Sequence, residues 1–142
     1  MQKVVLDTNV LVSALWSNNG NPYKIVEMIF TKEIIPYFNE DIIEEYYEVL
    51  FRAKLNFSKD KVIGLLNEVI KNGIFAELVT SDVLFIDESD RKFYDIAKTN
   101  EAILVTGNTK HYPKEPFIFS PLEFLRKRKT PPVKNVFSNT DL

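Results

Sequence analysis

The side chains best placed to do chemistry in this sequence are carboxylates. Asp7 directly follows the apolar run Val4-Val5-Leu6, in Asp7-Thr8-Asn9. In open parallel sheets ligands bind beyond the carboxyl ends of strands, which is where such an acid would sit. An aspartate capping the following turn or helix would occupy the same position. A second group is Glu40, Asp41, Glu44, Glu45 and Glu48, on a helical pattern whose apolar face is Ile42, Ile43, Tyr46, Val49 and Leu50. Asp41, Glu44 and Glu48 fall roughly opposite that face, whereas Glu45 lies at its margin, about 110° from the centre. A marginal acid can reach a cleft at the edge of the core, so Glu45 is the candidate and the others form a solvated face. Asp90 shares helical spacing with Phe93 and Ala97, so it belongs to the buried face of its helix, and Asp95 points away from it. Asp90 also suits the positive end of a helix dipole. An inward carboxylate nevertheless needs a partner, because an isolated buried charge is very costly. Thr106 and Asn108 close an apolar strand in Val105-Thr106-Gly107-Asn108, near another carboxyl end or simply as turn residues.

Acids gathered at one sheet edge repel each other, and a hard divalent cation such as Mg²⁺ or Mn²⁺ relieves that repulsion through oxygen ligands. Such an ion lowers the pKa of bound water and stabilises charge on a phosphodiester, which is the chemistry of a nuclease. Composition removes the alternatives. There is no cysteine, hence no thiol nucleophile, disulfide framework or zinc ribbon. His111 is the one histidine, which excludes paired-histidine metal motifs, and it reads as a polar loop residue. Gly20, Gly64, Gly73 and Gly107 are scattered and form neither a Walker A loop nor a dinucleotide fingerprint. No nucleophile-elbow motif accompanies a serine. A net charge of −2 gives no global basic field, so any nucleic-acid binding must use local patches. Arg91, Lys92 and Lys110 lie close in sequence to candidate acids and could meet phosphates, although a solvated helix face explains the first two equally well.

The elements that must position these residues alternate between strands and helices over about the first 125 of 142 residues. Val4 to Leu6 and Ile34 to Tyr37 are strands. A helix starts at Asn21-Pro22, with Asn21 as cap, and another runs from Asn39 to about Ala53. Ser58 caps a helix that Gly73 stops. Phe75 to Val79 is a weaker strand. Ser89 caps a helix through about Thr99, Ala102 to Thr106 is a strand, and Phe117 to Phe119 is the last. Ser120-Pro121-Leu122-Glu123 forms a capping box. Alternation of this kind predicts an α/β fold, a parallel sheet with helices on both faces. Residues 126–142, beginning Arg126-Lys127-Arg128-Lys129, read as a basic, flexible tail after a domain spanning 1–125, or as a basic arm for RNA or a partner protein. No apolar run approaches the ~18 residues of a membrane span, and the N-terminus is too short in apolar residues for a signal peptide. The expected location is the cytoplasm.

Taken together, these residues resemble the PIN-domain ribonuclease family over roughly Gln2 to Leu125. The resemblance rests on Leu6-Asp7-Thr8-Asn9-Val10-Leu11-Val12-Ser13, Ile43-Glu44-Glu45-Tyr46-Tyr47-Glu48-Val49-Leu50, Asp87-Glu88-Ser89-Asp90-Arg91-Lys92-Phe93 and Leu104-Val105-Thr106-Gly107-Asn108. Arg52-Ala53-Lys54-Leu55 is similar to the bacterial branch of toxins from toxin–antitoxin systems. The resemblance implies a Rossmann-like three-layer fold with a mostly parallel sheet, and Mg²⁺- or Mn²⁺-dependent cleavage of RNA. It implies in-line attack by a metal-activated water, and it makes Asp7, Glu45 and Asp90 the catalytic, metal-holding acids. It further implies homodimers and, for toxins, inhibition by a small antitoxin protein.

One position departs from the family pattern. A fourth acid usual after Thr-Gly is here Asn108, whose amide oxygen can bind metal but brings no charge. Asn9 and Thr106 are expected to orient the carboxylates; Ser13 could do so too, or simply pack its helix. Trp16, Phe30, Phe93 and Phe124 are assigned to core or subunit contact. Besides the ribonuclease, the sequence admits a catalytically weak scaffold that binds RNA or a protein partner, supported by Asn108. It also admits an aspartate-nucleophile phosphatase using Asp7. That chemistry usually wants a second acid two residues on, and Asn9 is not one.

Overall fold

The structure is a computed structural model that describes residues 1–129. Five parallel strands form one sheet in the order β3-β2-β1-β4-β5, where β1 is Gln2–Leu6, β2 Ile34–Phe38, β3 Ile74–Phe75, β4 Ile103–Val105 and β5 Ile118–Phe119. β1 lies at the centre, with Val4 opposite Pro36 on one side and Ile103 on the other. Val4, Val5 and Leu6 are all buried, because a strand covered on both faces needs a continuous apolar run and not an alternating one.

The helices are α1 (Thr8–Trp16), α2 (Asn21–Phe30), α3 (Glu40–Leu50), α4 (Lys59–Asn72), α5 (Arg91–Asn100) and α6 (Pro121–Lys129). Helices α1 to α4 lie on the connections that step from β1 outward to β3. The connection carrying α5 returns across the sheet to β4. Right-handed crossovers in opposite directions put their helices on opposite faces, giving three layers. Among the described residues no helix is long and apolar enough to cross a membrane.

Several local signals act as read. Asn39 accepts the Ile42 N–H at 2.9 Å, and Ser58 accepts that of Lys61 at 3.4 Å. The capping box closes in both directions, Ser120 N–H to Glu123 at 2.8 Å and Glu123 N–H to Ser120 at 3.1 Å. Others shift. Gly20 caps α2, so Asn21 is its first helical residue and Pro22 its second. α3 ends at Leu50, and Ala53–Leu55 forms a separate 3₁₀ turn. α1 has no single-face periodicity to mark it, since Val10, Leu11, Val12, Ala14, Leu15 and Trp16 are apolar nearly all round. The basic run expected to open the tail forms the end of α6, where Arg128 reaches Glu33 at 3.7 Å. The remaining tail, 130–142, lies outside the described residues. Phe93 and Phe124 are buried in the core, whereas Trp16 and Phe30 are exposed.

Gly73, at the end of α4, has an extended backbone, so no left-handed turn explains it. A methyl group there would stand 2.3 Å from the Phe38 ring and 2.6 Å from the Pro36 and Val69 carbonyls. Phe38 cannot yield, being buried and packed edge-on against Phe75 at 4.8 Å. Gly73→Ala is expected to destabilise the fold by about 2–3 kcal/mol, read as a lower urea midpoint at unchanged m-value.

The strand expected over Phe75 to Val79 is only Ile74–Phe75; residues 76–87 instead run as an irregular strap over α5. Its side chains alternate, with Val83 and Phe85 turned inward and Leu84 and Ile86 outward. Asp95, on the side of α5 away from Asp90, is therefore buried beneath the strap and not solvated, and it accepts the Ser81 N–H at 3.2 Å. Helical periodicity set Asp95 apart from the buried face, and the structure corrects this, because an irregular segment that periodicity cannot reveal covers it.

Candidate metal centre

The central crevice forms where the strand order reverses, between β1 and β4, and both neighbouring strands deliver a residue into it. Asp7 extends β1 by one ladder bond, its N–H to the Val105 carbonyl at 3.0 Å. It occupies the cap position of α1 without a well-formed cap bond, although the Asn9 backbone N–H in the first turn favours its charged form. One carboxylate oxygen, Oδ2, instead accepts the hydroxyls of Thr106 and Tyr112, each at 2.9 Å. Thr106 is fully buried and in turn accepts the Asn108 N–H at 3.0 Å. Asn9 accepts the Gly107 N–H at 2.9 Å, pinning the turn after β4 to the start of α1. Burial pushes the Asp7 carboxyl up, the two hydroxyl bonds partly oppose this, and the Glu45 charge adds to the rise.

Glu45, on α3, is half-buried as its marginal helical position requires, while Asp41, Glu44 and Glu48 are exposed. The Thr8 hydroxyl donates to its Oε2, and Lys92 Nζ stands 2.7 Å from its Oε1. Asp90 closes the 3₁₀ turn Glu88–Asp90 at the start of α5. Ser89 does not cap this helix; Asp87 caps the turn, accepting the Ser89 N–H at 3.0 Å and hydroxyl at 2.8 Å. Those bonds hold the Asp87 carboxyl below the usual range.

Asp90 is consequently free of capping duty, and its Oδ2 is buried without a hydrogen-bond partner. The exposed ring of His111 lies alongside, with Nδ1 3.8 Å from that oxygen. Burial raises the Asp90 carboxyl to about 6, reinforced by the charges of Asp7, Asp87 and Glu45 and opposed by His111. Asp7, Glu45 and Asp90 thus come from distant stretches to within electrostatic reach of one another.

These residues suit a hard divalent cation in donor chemistry, since each brings carboxylate oxygens and Asp90 offers one that is buried and unpaired. Among the described residues, however, no three His, Asp or Glu side chains are drawn together closely enough to hold an ion as they stand. Glu45 is held by Lys92 and Thr8. Asn108 sits at the rim, its amide nitrogen 3.0 Å from His111 Nε2.

The basic residues divide. Lys110 lies exposed in the turn Thr109–His111, next to the crevice. Lys92 is paired with Glu45. Arg91 faces the strap and not a ligand: it donates to the Ser81 carbonyl at 2.8 Å, to the Val83 carbonyl at 2.5 Å and to Glu88 at 2.7 Å. Its expected phosphate role gives way to that structural one, because a guanidinium satisfies several carbonyls of an irregular segment that a sheet cannot. Arg91→Ala is expected to lower stability, read as a lower urea midpoint, and to speed limited proteolysis within residues 76–87. Weakened RNA binding at unchanged stability would point back to a phosphate contact.

Two contributors escaped sequence reasoning. Tyr112 carries no local signal, since its link to Asp7 spans 105 residues. Thr8, adjacent to Asp7, bonds to an acid 37 residues away. Tyr46 was legible as core but also donates its hydroxyl to the Leu6 carbonyl at 2.5 Å, tying α3 to the end of β1. Next to Glu45, a cavity of ≈ 660 Å³ is lined mostly by acids, among them Asp41, Glu44 and Glu48 of α3, with Arg91 and Lys92 as its cations.

A family model described as a PIN domain matches residues 3–110, a span that contains Asp7, Glu45, Asp90 and Asn108. The chain is also similar to the uncharacterized protein MJ1680 of Methanocaldococcus jannaschii, at 32% identity over 109 residues, which cover 75% of this chain and 70% of that protein.

Proposed function

We propose, because this chain belongs to the PIN-domain family, that it is a divalent-metal-dependent endoribonuclease. Family membership points in general terms to nuclease activity, with divalent metal and RNA as the usual cofactor and ligand. The observation that carries the finer reading is the buried, unpaired Asp90 oxygen facing the charges of Asp7 and Glu45. In this reading Asp7, Glu45 and Asp90, with Asn108 at the rim, hold Mg²⁺ or Mn²⁺. Bound there, the ion supplies Lewis acidity and a water of lowered pKa for hydrolysis of the phosphodiester. Thr106 and Tyr112 fix one Asp7 oxygen and so orient the carboxylate that would hold the ion. Tyr46 locks the backbone before Asp7. Lys110 meets the phosphate of the bound strand. The reading extends to a cytoplasmic toxin held in check by a small antitoxin, acting as a homodimer.

A second reading, a catalytically weak scaffold that binds RNA or a protein, is favoured by Asn108, which brings no charge and whose amide is engaged with His111. Cleavage of RNA by purified protein with Mg²⁺, Mn²⁺ or EDTA separates the two, run beside Asp7→Asn and Asp90→Asn. Cleavage that needs the metal and fails in both variants is the expected result. Undiminished cleavage in EDTA or in both variants would reject the mechanism, and binding without cleavage would favour the scaffold.

A further inference from the structure

We infer that Lys92 is a built-in counter-cation of the acidic crevice, and that a divalent ion loads by displacing its ammonium from Glu45. The inference rests on the reading of the crevice as a metal centre. Lys92 is not a loose surface lysine: its Nζ is 2.7 Å from Glu45 Oε1, donates to the Ser89 carbonyl and lies 4.9 Å from the centre of the Phe93 ring. Both partners of the pair are largely withdrawn from solvent, with side chains 17% and 22% exposed.

The charge pattern gives the pair a purpose. Glu45 acts through space on both Asp7 and Asp90, and the Lys92 ammonium, paired with Glu45, neutralises that shared charge. Glu45 is the acid that receives the ammonium, and Asp90 is left with an oxygen that has no hydrogen bond, 3.8 Å from the His111 ring. Arg91, the adjacent cation, cannot substitute, because its guanidinium is committed to the strap. Lys92 therefore makes the metal-free crevice tolerable and at the same time keeps Glu45 from joining Asp7 and Asp90 around an ion. Metal and ammonium compete for the same carboxylate, so loading is an exchange of cations. The expected phosphate role of Lys92 fits the same scheme, since exchange releases its ammonium only when metal is in place.

The test is Mn²⁺ binding to the full chain, without RNA, followed by titration calorimetry in wild type, Lys92→Met and Lys92→Arg. Removing a partly buried ion-pair competitor is expected to tighten Mn²⁺ binding about tenfold in Lys92→Met. Lys92→Arg should stay near wild type. The metal-free Lys92→Met protein should also melt lower than wild type and regain the difference on Mn²⁺ addition. Should it not fold without metal, Lys92→Gln is measured in its place. Equal or weaker Mn²⁺ binding by the neutral variant, with wild type binding normally, overturns the inference alone. Absence of Mn²⁺ binding in every variant overturns the metal-centre reading and the inference with it.

Discussion

Asp90→Asn is expected to abolish at least about 10³-fold of RNA cleavage while making the metal-free protein more stable. The loss corresponds to roughly 4 kcal/mol of transition-state stabilisation, the scale on which a charged metal ligand acts. The gain has a separate origin. Burial and the neighbouring acids raise the Asp90 carboxyl from 3.8 to about 6, so the folded state binds this proton more tightly than the unfolded chain. Stability must then fall as pH rises through the window from about 4 to about 6, and the charged form remains a liability at neutral pH. An amide of the same shape removes that liability, worth on the order of 2 kcal/mol once the solvent-facing edge of the group is discounted. Urea denaturation at pH 4 and pH 7 checks it: wild type should lose stability between the two pH values through this group, and Asp90→Asn should lose less. A variant both inactive and less stable than wild type at pH 7 would mean that Asp90 serves the fold and not a ligand.

Saturating Mn²⁺ is expected to raise the melting temperature, by about 2.7 kcal/mol of added stability at a hundredfold excess over Kd, or about 9 °C for a chain of this size. The same ion should be ineffective in Asp90→Asn and in Asp7→Asn, and EDTA should reverse its effect in wild type. The shift should also shrink below about pH 6, where protons compete for Asp90. Differential scanning calorimetry with and without Mn²⁺ measures all of this without a nucleic-acid substrate. An equal rise in the Asp7→Asn and Asp90→Asn variants would place the ion elsewhere on the surface.

The relation between sequence and site differs from residue to residue. Glu45 was readable at the margin of an amphipathic helix because its place follows from 3.6-residue periodicity, whereas Asp90, read on the inward face of a helix, sits in a 3₁₀ turn just before α5. The caps at Asn39, Ser58 and Ser120 were readable for the same reason, since each bond closes within three residues. Ser89 misled because Asp87, two residues earlier, is an equally good cap and binds both the Ser89 N–H and its hydroxyl. Phe75 to Val79 misled because apolar alternation in the strap resembles that of a strand, while its backbone bonds go to α5 side chains such as Thr99 and Asp95.

By itself, then, the sequence determined most of the helices and strands, the marginal place of Glu45 on its helix, and that no thiol or paired imidazole is present to do chemistry; all of these depend on residue type and short-range spacing. The tertiary structure alone decided that Tyr112 joins Thr106 in holding Asp7, across 105 residues, that Lys92 holds Glu45, and that Arg91 serves the strap. Such pairings depend on strand order. Only the reversal between β1 and β4 brings the carboxyl ends of both strands to one crevice, and local periodicity carries no information about which strands become neighbours.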